Sequence, residues 1–176
     1  MLGRQSRWRV WVCESAAKSL LDAATTAHPA ETGGILVGVL VGTRPWVTHA
    51  VEIKSSGSSA IYYELPAGVR HRVVAELRKQ DHRLGYLGEW HSHPADVGPS
   101  RTDIASLRQI AADPTSGCAR PLLIVARRTQ DHYRLDAGQL VQRIRRVRLV
   151  TCGPLPRSSA EPDSMPTRPA WREEAL

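Results

Sequence analysis

The alternation of large apolar and other residues over Trp8-Arg9-Val10-Trp11-Val12-Cys13 predicts a strand. Behind it, Ala17, Leu20, Leu21 and Ala24 recur at helical spacing. The pattern predicts an amphipathic helix from Ser15, read as its N-cap, to about Ala27, with Pro29 as the stop. Glu31-Thr32-Gly33-Gly34 then leads into the apolar run Ile35–Val41, which suits a strand buried on both faces. Gly42–Pro45 reads as a loop of about four residues joining that run to Trp46–Ile53 in an antiparallel hairpin. Ser55–Ser59 is a flexible loop by composition, and Ile61–Leu65 a short strand. Val69, Val73, Val74 and Leu77 mark a second helix ending near Asp81. Leu84–His93 reads as a strand, Pro94–Pro99 as a loop, and Ser100 opens a third helix carrying Ile104, Leu107, Ile110 and Ala111, closed by Asp113-Pro114. Pro121–Ala126 is a buried strand. His132–Leu135 and Leu140–Val150 are two more, with a turn at Asp136–Gly138.

At 176 residues, with 41% hydrophobic and 23% charged positions, the chain fits one globular domain. No run approaches the roughly 18 apolar residues of a membrane span. The first seven residues are not followed by an apolar signal-peptide region, so a cytoplasmic location is expected. Cys13, Cys118 and Cys152 are widely spaced, form no C-x-x-C pair, and are expected to be reduced and mostly buried. The net charge of +7 comes mainly from scattered arginines, with one cluster at Arg143, Arg145, Arg146 and Arg148. No nucleic-acid-binding motif accompanies it, so no nucleic-acid partner is expected and the cluster reads as a solvated strand face or edge. The charge could instead steer an acidic partner. Five of the twelve prolines fall after Gly153, which predicts a domain over 1–152 and a Pro-rich disordered tail over 153–176.

The chemistry concentrates in Glu89-Trp90-His91-Ser92-His93-Pro94-Ala95-Asp96-Val97-Gly98-Pro99-Ser100-Arg101-Thr102-Asp103. Residues two apart on a strand share a face, so His91 and His93 project side by side. Asp103 sits in the first turn of the following helix and can swing back towards them. Ser-x-x-Asp is also a capping-box-like helix start, and the two uses are compatible. Two imidazoles and a carboxylate would leave the fourth position of a tetrahedral zinc open for water. Such a site needs a carboxylate to move the water's proton. Glu31, before two glycines that permit close backbone approach, and Glu89, on the histidine face, are the candidates the residues leave open. Glu52, Glu64 and Asp96 carry no comparable feature.

Glu31 at the head of E-T-G-G-I-L-V-G, then His91-Ser92-His93-Pro94, Ser100 and Asp103, resembles the signature of the JAB/MPN-plus (JAMM) zinc metalloproteases. The resemblance covers roughly residues 8 to 150, and the style is similar to bacterial JAB proteins encoded beside E1-like and E2-like proteins. It implies an α/β (α+β) fold, a mixed sheet flanked by about three helices in a cytidine-deaminase-like layering. It implies His91, His93 and Asp103 as zinc ligands, Glu31 as the group that deprotonates the water and protonates the leaving amine, and Ser100 as the oxyanion stabiliser. It implies cleavage after the C-terminal glycine of a ubiquitin-like modifier or its conjugate. A peptidase acting on sulfur-carrier proteins is a related alternative, and a non-catalytic interaction module is one of a different class. One departure stands out: six residues separate His93 from Ser100, where many family members have seven.

Overall fold

The computed structural model describes residues 8–54 and 68–156. The expected Ser55–Ser59 loop, the Ile61–Leu65 strand and residues 157–176 of the expected tail lie outside them. In chain order the elements are β1 (Arg9–Cys13), α1 (Glu14–Ala27), β2 (Gly33–Val41), β3 (Arg44–Glu52), α2 (Val69–Arg78), β4 (Gly85–His93), α3 (Arg101–Ala112), β5 (Leu122–Thr129), β6 (His132–Leu140), β7 (Ile144–Arg146) and β8 (Arg148–Cys152). The strands form one mixed sheet in the order β7-β6-β5-β4-β2-β3-β1-β8. The pairs β1–β3, β1–β8 and β4–β5 are parallel. The pairs β2–β3, β2–β4, β5–β6 and β6–β7 are antiparallel. This is the mixed α+β architecture that the resemblance implies.

Two apolar clusters explain the layering. Ala16, Ala17, Leu20 and Ala24 of α1 pack with Val10, Val12, Leu36, Val47, Trp90, Ile124 and Ala137. Leu107 and Ile110 of α3 pack with Ile35, Val37, Leu84, Tyr86, Leu123 and Val125, and α2 adds Val73, Val74 and Leu77. Neighbours along β2 and β5 thus serve opposite clusters: Leu36 goes with α1, Ile35 and Val37 with α2 and α3. That is why these strands read as unbroken apolar runs. β7 and β8 stand at opposite ends of the strand order, yet only Val147 separates them in sequence. The sheet therefore curls around α1, and Val147 joins the α1 cluster.

Several local expectations change. The N-cap of α1 lies two residues earlier, at Cys13 rather than Ser15, with no side-chain cap bond. The apolar demand of β1 and α1 on either side sets that corner without help from a hydroxyl. The β2–β3 connection is two residues, Gly42 and Thr43, with Gly42 at φ +61, because the ladder continues to the Val41–Arg44 pair. Asp136–Gly138 is not a turn: β6 runs through it, each residue paired with β5. The expected Leu140–Val150 strand is broken into β7 and β8, which serve opposite ends of the sheet. Of the stretch after Cys152, Leu155 packs on the α1 cluster and the Pro156 carbonyl accepts from Arg83 Nη2 at 3.0 Å. Among the described residues no helix is long and apolar enough to cross a membrane.

Candidate metal and catalytic site

The site is built where β4 leaves the sheet centre and turns into α3. β4 lies between β2 and β5, and its register against β2 shifts at Leu36/Val37. Gly88 makes the irregularity possible. Its φ is +144, and a Cβ there would stand 1.9 Å from the Leu122 carbonyl oxygen. Only glycine tolerates both. Beyond this point Glu89, His91 and His93 line one cavity, while Trp90 is buried in the α1 cluster and Ser92 is fully buried.

His91 and His93 face each other, Nε2 to Nε2 at 3.1 Å, as the i, i+2 spacing predicts. Their rings are 4.9 Å apart at the centroids. The Nδ1 of His93 lies 2.7 Å from the Val97 carbonyl oxygen. A carbonyl only accepts, so Nδ1 is the donor of this bond, and Nε2 is the ring nitrogen turned towards His91 and Asp103, the one placed to ligate a metal. Pro94–Pro99 thereby returns to serve the strand it left. Asp96 at the loop pairs with Arg127, which also reaches Asp136 at 2.6 Å, so the short loop is fastened to β5 and β6.

α3 delivers the carboxylate. Ser100 is its N-cap: Ser100 Oγ accepts from Asp103 N–H at 3.2 Å, and Ser100 N–H donates to Asp103 Oδ2 at 2.5 Å. This reciprocal pair holds Asp103 with Oδ1 3.3 Å from His91 Nε2 and Oδ2 3.8 Å from His93 Nε2. One ligand atom from each of His91, His93 and Asp103 lies within 4.8 Å of the others, close enough to share one metal ion. Burial alone would raise the Asp103 carboxyl, but the hydrogen bond and charge of His91 and the Ser100 donors hold it well below the usual carboxylate range. A carboxylate and two imidazole nitrogens turned towards one another in a cavity form a donor set that suits a divalent ion. The Ser100 hydroxyl spends a lone pair on the cap, and its proton remains available to donate.

Both carboxylates left open by the sequence line the cavity, whose volume is about 430 Å³. Burial pushes Glu31 above the ordinary carboxylate range, His93 and His91 draw it back, and Asp103 pushes it further up. Glu31 is thus electrostatically in touch with all three metal-ligating candidates. Burial also raises Glu89, but its carboxylate already accepts from the Tyr86 hydroxyl at 3.2 Å. Of the other three acids, Glu52 accepts from Thr32 Oγ1 at 2.7 Å and Asp96 pairs with Arg127. Glu64 lies outside the described residues.

Ser92 is the site residue whose function the sequence does not reveal. Its side chain points away from the cavity, and its Oγ accepts from Thr32 N–H at 3.0 Å, while its own N–H donates to the Thr32 carbonyl at 2.7 Å. These two bonds tie the residue after Glu31 to the residue between the histidines. Gly34 lets that segment run tight against β3, since a Cβ there would lie 1.8 Å from the Val51 carbonyl oxygen. A small polar residue between two candidate ligands, on the opposite strand face, was the available signal.

The arginine cluster is partly engaged. Arg145 lies over the Trp8 ring at 4.8 Å, and Arg146 pairs with Asp136 at 3.0 Å.

Comparison with known proteins agrees with this geometry. A probable metalloprotease, y4qB, of Sinorhizobium fredii is 30% identical over 147 residues, spanning 76% of this chain and 86% of its own. A CD-NTase/cGAS isopeptidase of Enterobacter hormaechei is 27% identical over 121 residues, 67% of each chain. The solution structure of protein DSY2949 from Desulfitobacterium hafniense aligns with a TM-score of 0.61 at 19% identity, covering 83% of this chain and 94% of that one, a likeness of fold alone. Residues 14–138 match the family described as prokaryotic homologs of the JAB domain, and because that span is most of the chain and holds every candidate ligand, the protein belongs to this family.

Proposed function

We propose that this chain is a zinc-dependent peptidase of the JAB type, an isopeptidase that cleaves after the C-terminal glycine of a ubiquitin-like modifier. The observation that carries the reading is the convergence of His91, His93 and Asp103 in one cavity with Glu31. The similarity to proteins named metalloprotease and isopeptidase supports a hydrolase. The name CD-NTase/cGAS isopeptidase supports a conjugate as substrate.

In this reading His91, His93 and Asp103 hold the metal. A zinc ion held there would supply Lewis acidity and would lower the pKa of its water to roughly 7. Glu31 accepts the proton of the attacking water and returns it to the leaving amine, a cycle favoured by a carboxyl that burial has raised towards working pH. The Ser100 hydroxyl donates to the carbonyl oxygen as negative charge develops on it. Glu89, occupied by Tyr86, supports the cavity wall instead of acting as the base. Val97, half exposed at the cavity rim, and the apolar Leu107, Ile110 and Leu123 favour a thin, uncharged segment such as a glycine tail.

The test combines elemental analysis with cleavage of a fusion carrying a ubiquitin-like Gly-Gly junction. Wild type is expected to hold about one zinc per chain and to lose activity to a chelator. Glu31→Gln keeps the metal and loses cleavage, whereas His91→Ala loses both. Zinc retained after both histidines are replaced would sink the ligand assignment. Activity surviving in Glu31→Gln but lost in Glu89→Gln would reverse the choice of base.

A further inference from the structure

A second reactive cluster lies outside the cavity, on the β1–β8 pairing. Cys13 and Cys152 end their strands directly opposite each other in parallel register. Adjacent strands are ~4.8 Å apart, inside the Cα separation of roughly 4.4–6.8 Å that disulfides span. Both cysteines are free thiols. The Trp46 indole N–H donates to Cys13 Sγ at 3.3 Å, and the Cys13 thiol reaches the Gly153 carbonyl oxygen at 3.2 Å. Cys13 itself is only 3% exposed, but Cys152 is partly exposed on an outermost strand, so a small molecule can approach the pair from that side.

We infer that Cys13 and Cys152 form a dithiol site that a hydroperoxide converts to a disulfide, joining the strand that begins the domain to the strand that ends it. Hydrogen bonding from the Cys152 thiol outweighs burial and, with the Trp46 N–H, lowers the Cys13 thiol below its ordinary range. The same pairing and burial raise Cys152. The Trp46 N–H held on Cys13 Sγ favours a thiolate there, so Cys13 reacts first and Cys152 is the protonated partner. The Cys13 sulfur attacks one peroxide oxygen and breaks the O–O bond. Hydroxide leaves and is protonated to water, and Cys13 becomes a sulfenic acid. The Cys152 sulfur then attacks Cys13 and displaces the hydroxyl, which departs as water with the Cys152 proton. Two thiols are oxidised by two electrons, and one hydrogen peroxide is reduced to two waters. Cys118 has no cysteine partner in this geometry, and burial raises its thiol, so it is the internal control.

The experiment treats the reduced full chain with stoichiometric hydrogen peroxide, removes the excess, denatures, alkylates and maps peptides by mass. Alkylatable thiols are expected to fall from three to one, the survivor being Cys118. The chain stays monomeric on a non-reducing gel, one linked species joins the Cys13 and Cys152 peptides, and dithiothreitol reverses the change. In Cys152→Ser, which lacks the second thiol, dimedone captures the Cys13 sulfenic acid. Retention of all three thiols overturns the proposal, as does any linkage through Cys118 or a disulfide between chains. The wild-type map decides the matter even where the variant folds poorly.

Discussion

The Ser92 hydroxyl accepts the Thr32 backbone N–H at 3.0 Å, and the two residues exchange a second bond from Ser92 N–H to the Thr32 carbonyl at 2.7 Å. The segment carrying Glu31 is thereby fixed to the strand carrying His91 and His93. Replacing Ser92 with Ala leaves the buried Thr32 N–H without its partner, a loss of about 1–3 kcal/mol in stability. The proposed metal ligands face the other side, so zinc content is expected to stay near wild type while kcat falls. Denaturant unfolding, elemental analysis and peptide-junction cleavage check the three parts separately. Unchanged kcat with the expected stability loss would show that Glu31 does not depend on this tie.

In the proposed mechanism Ser100 has two separable duties. As N-cap its replacement by Ala costs ~1 kcal/mol, and by Gly only a few tenths. As the donor to a developing oxyanion, either replacement lowers kcat by roughly 10²–10³. Equal losses of activity with unequal losses of stability are expected. If activity instead tracks stability, the serine serves the helix alone.

Gly88 holds β4 against β5 at a φ of +144 with no room for a Cβ. Gly88→Ala is expected to destabilise the domain by at least about 1–3 kcal/mol from the backbone conformation alone. The clash with the Leu122 carbonyl adds to this. The shift at the head of the histidine strand should also reduce zinc content in whatever fraction folds. Thermal unfolding and metal analysis of the soluble protein measure both, and a variant as stable as wild type would refute the close approach.

His49, half buried on β3 beside the Thr48 hydroxyl at 2.8 Å, has its pKa lowered by burial below the ordinary 6.5. In the unfolded chain it takes up a proton near 6.5, whereas the folded state resists protonation to lower pH. The unfolded state therefore binds more protons in that window, and stability falls as pH drops below 6.5. His49→Gln removes this contribution, so the variant should lose less stability between pH 7 and the acid side than wild type does. Chemical denaturation across that range measures the difference, and parallel curves would exclude a role for His49.

Much of the fold could be read from period and punctuation. The i, i+3, i+4 spacing of Ala17, Leu20, Leu21 and Ala24 predicts α1, and Ser-x-x-Asp predicts the start of α3, because these patterns depend on neighbours within one turn. The two errors of connection have a common cause. Asp136–Gly138 carries turn residues, but pairing with β5 on one side and β7 on the other holds it extended. Leu140–Val150 is uniformly strand-like, and only the closure of the sheet around α1 decides that it must serve both ends.

The site divides in the same way. The sequence by itself determined the grouping of His91, His93 and Asp103, because strand alternation and the first turn of a helix fix their direction within thirteen residues. It could not decide between Glu31 and Glu89, since proximity on the chain favours one and the glycines favour the other. It also could not show that Ser92 fastens Thr32, or that Cys13 meets Cys152, because both contacts join segments far apart in sequence. Those relationships come from the register of a curled sheet, which long-range packing of apolar side chains sets and no local pattern encodes.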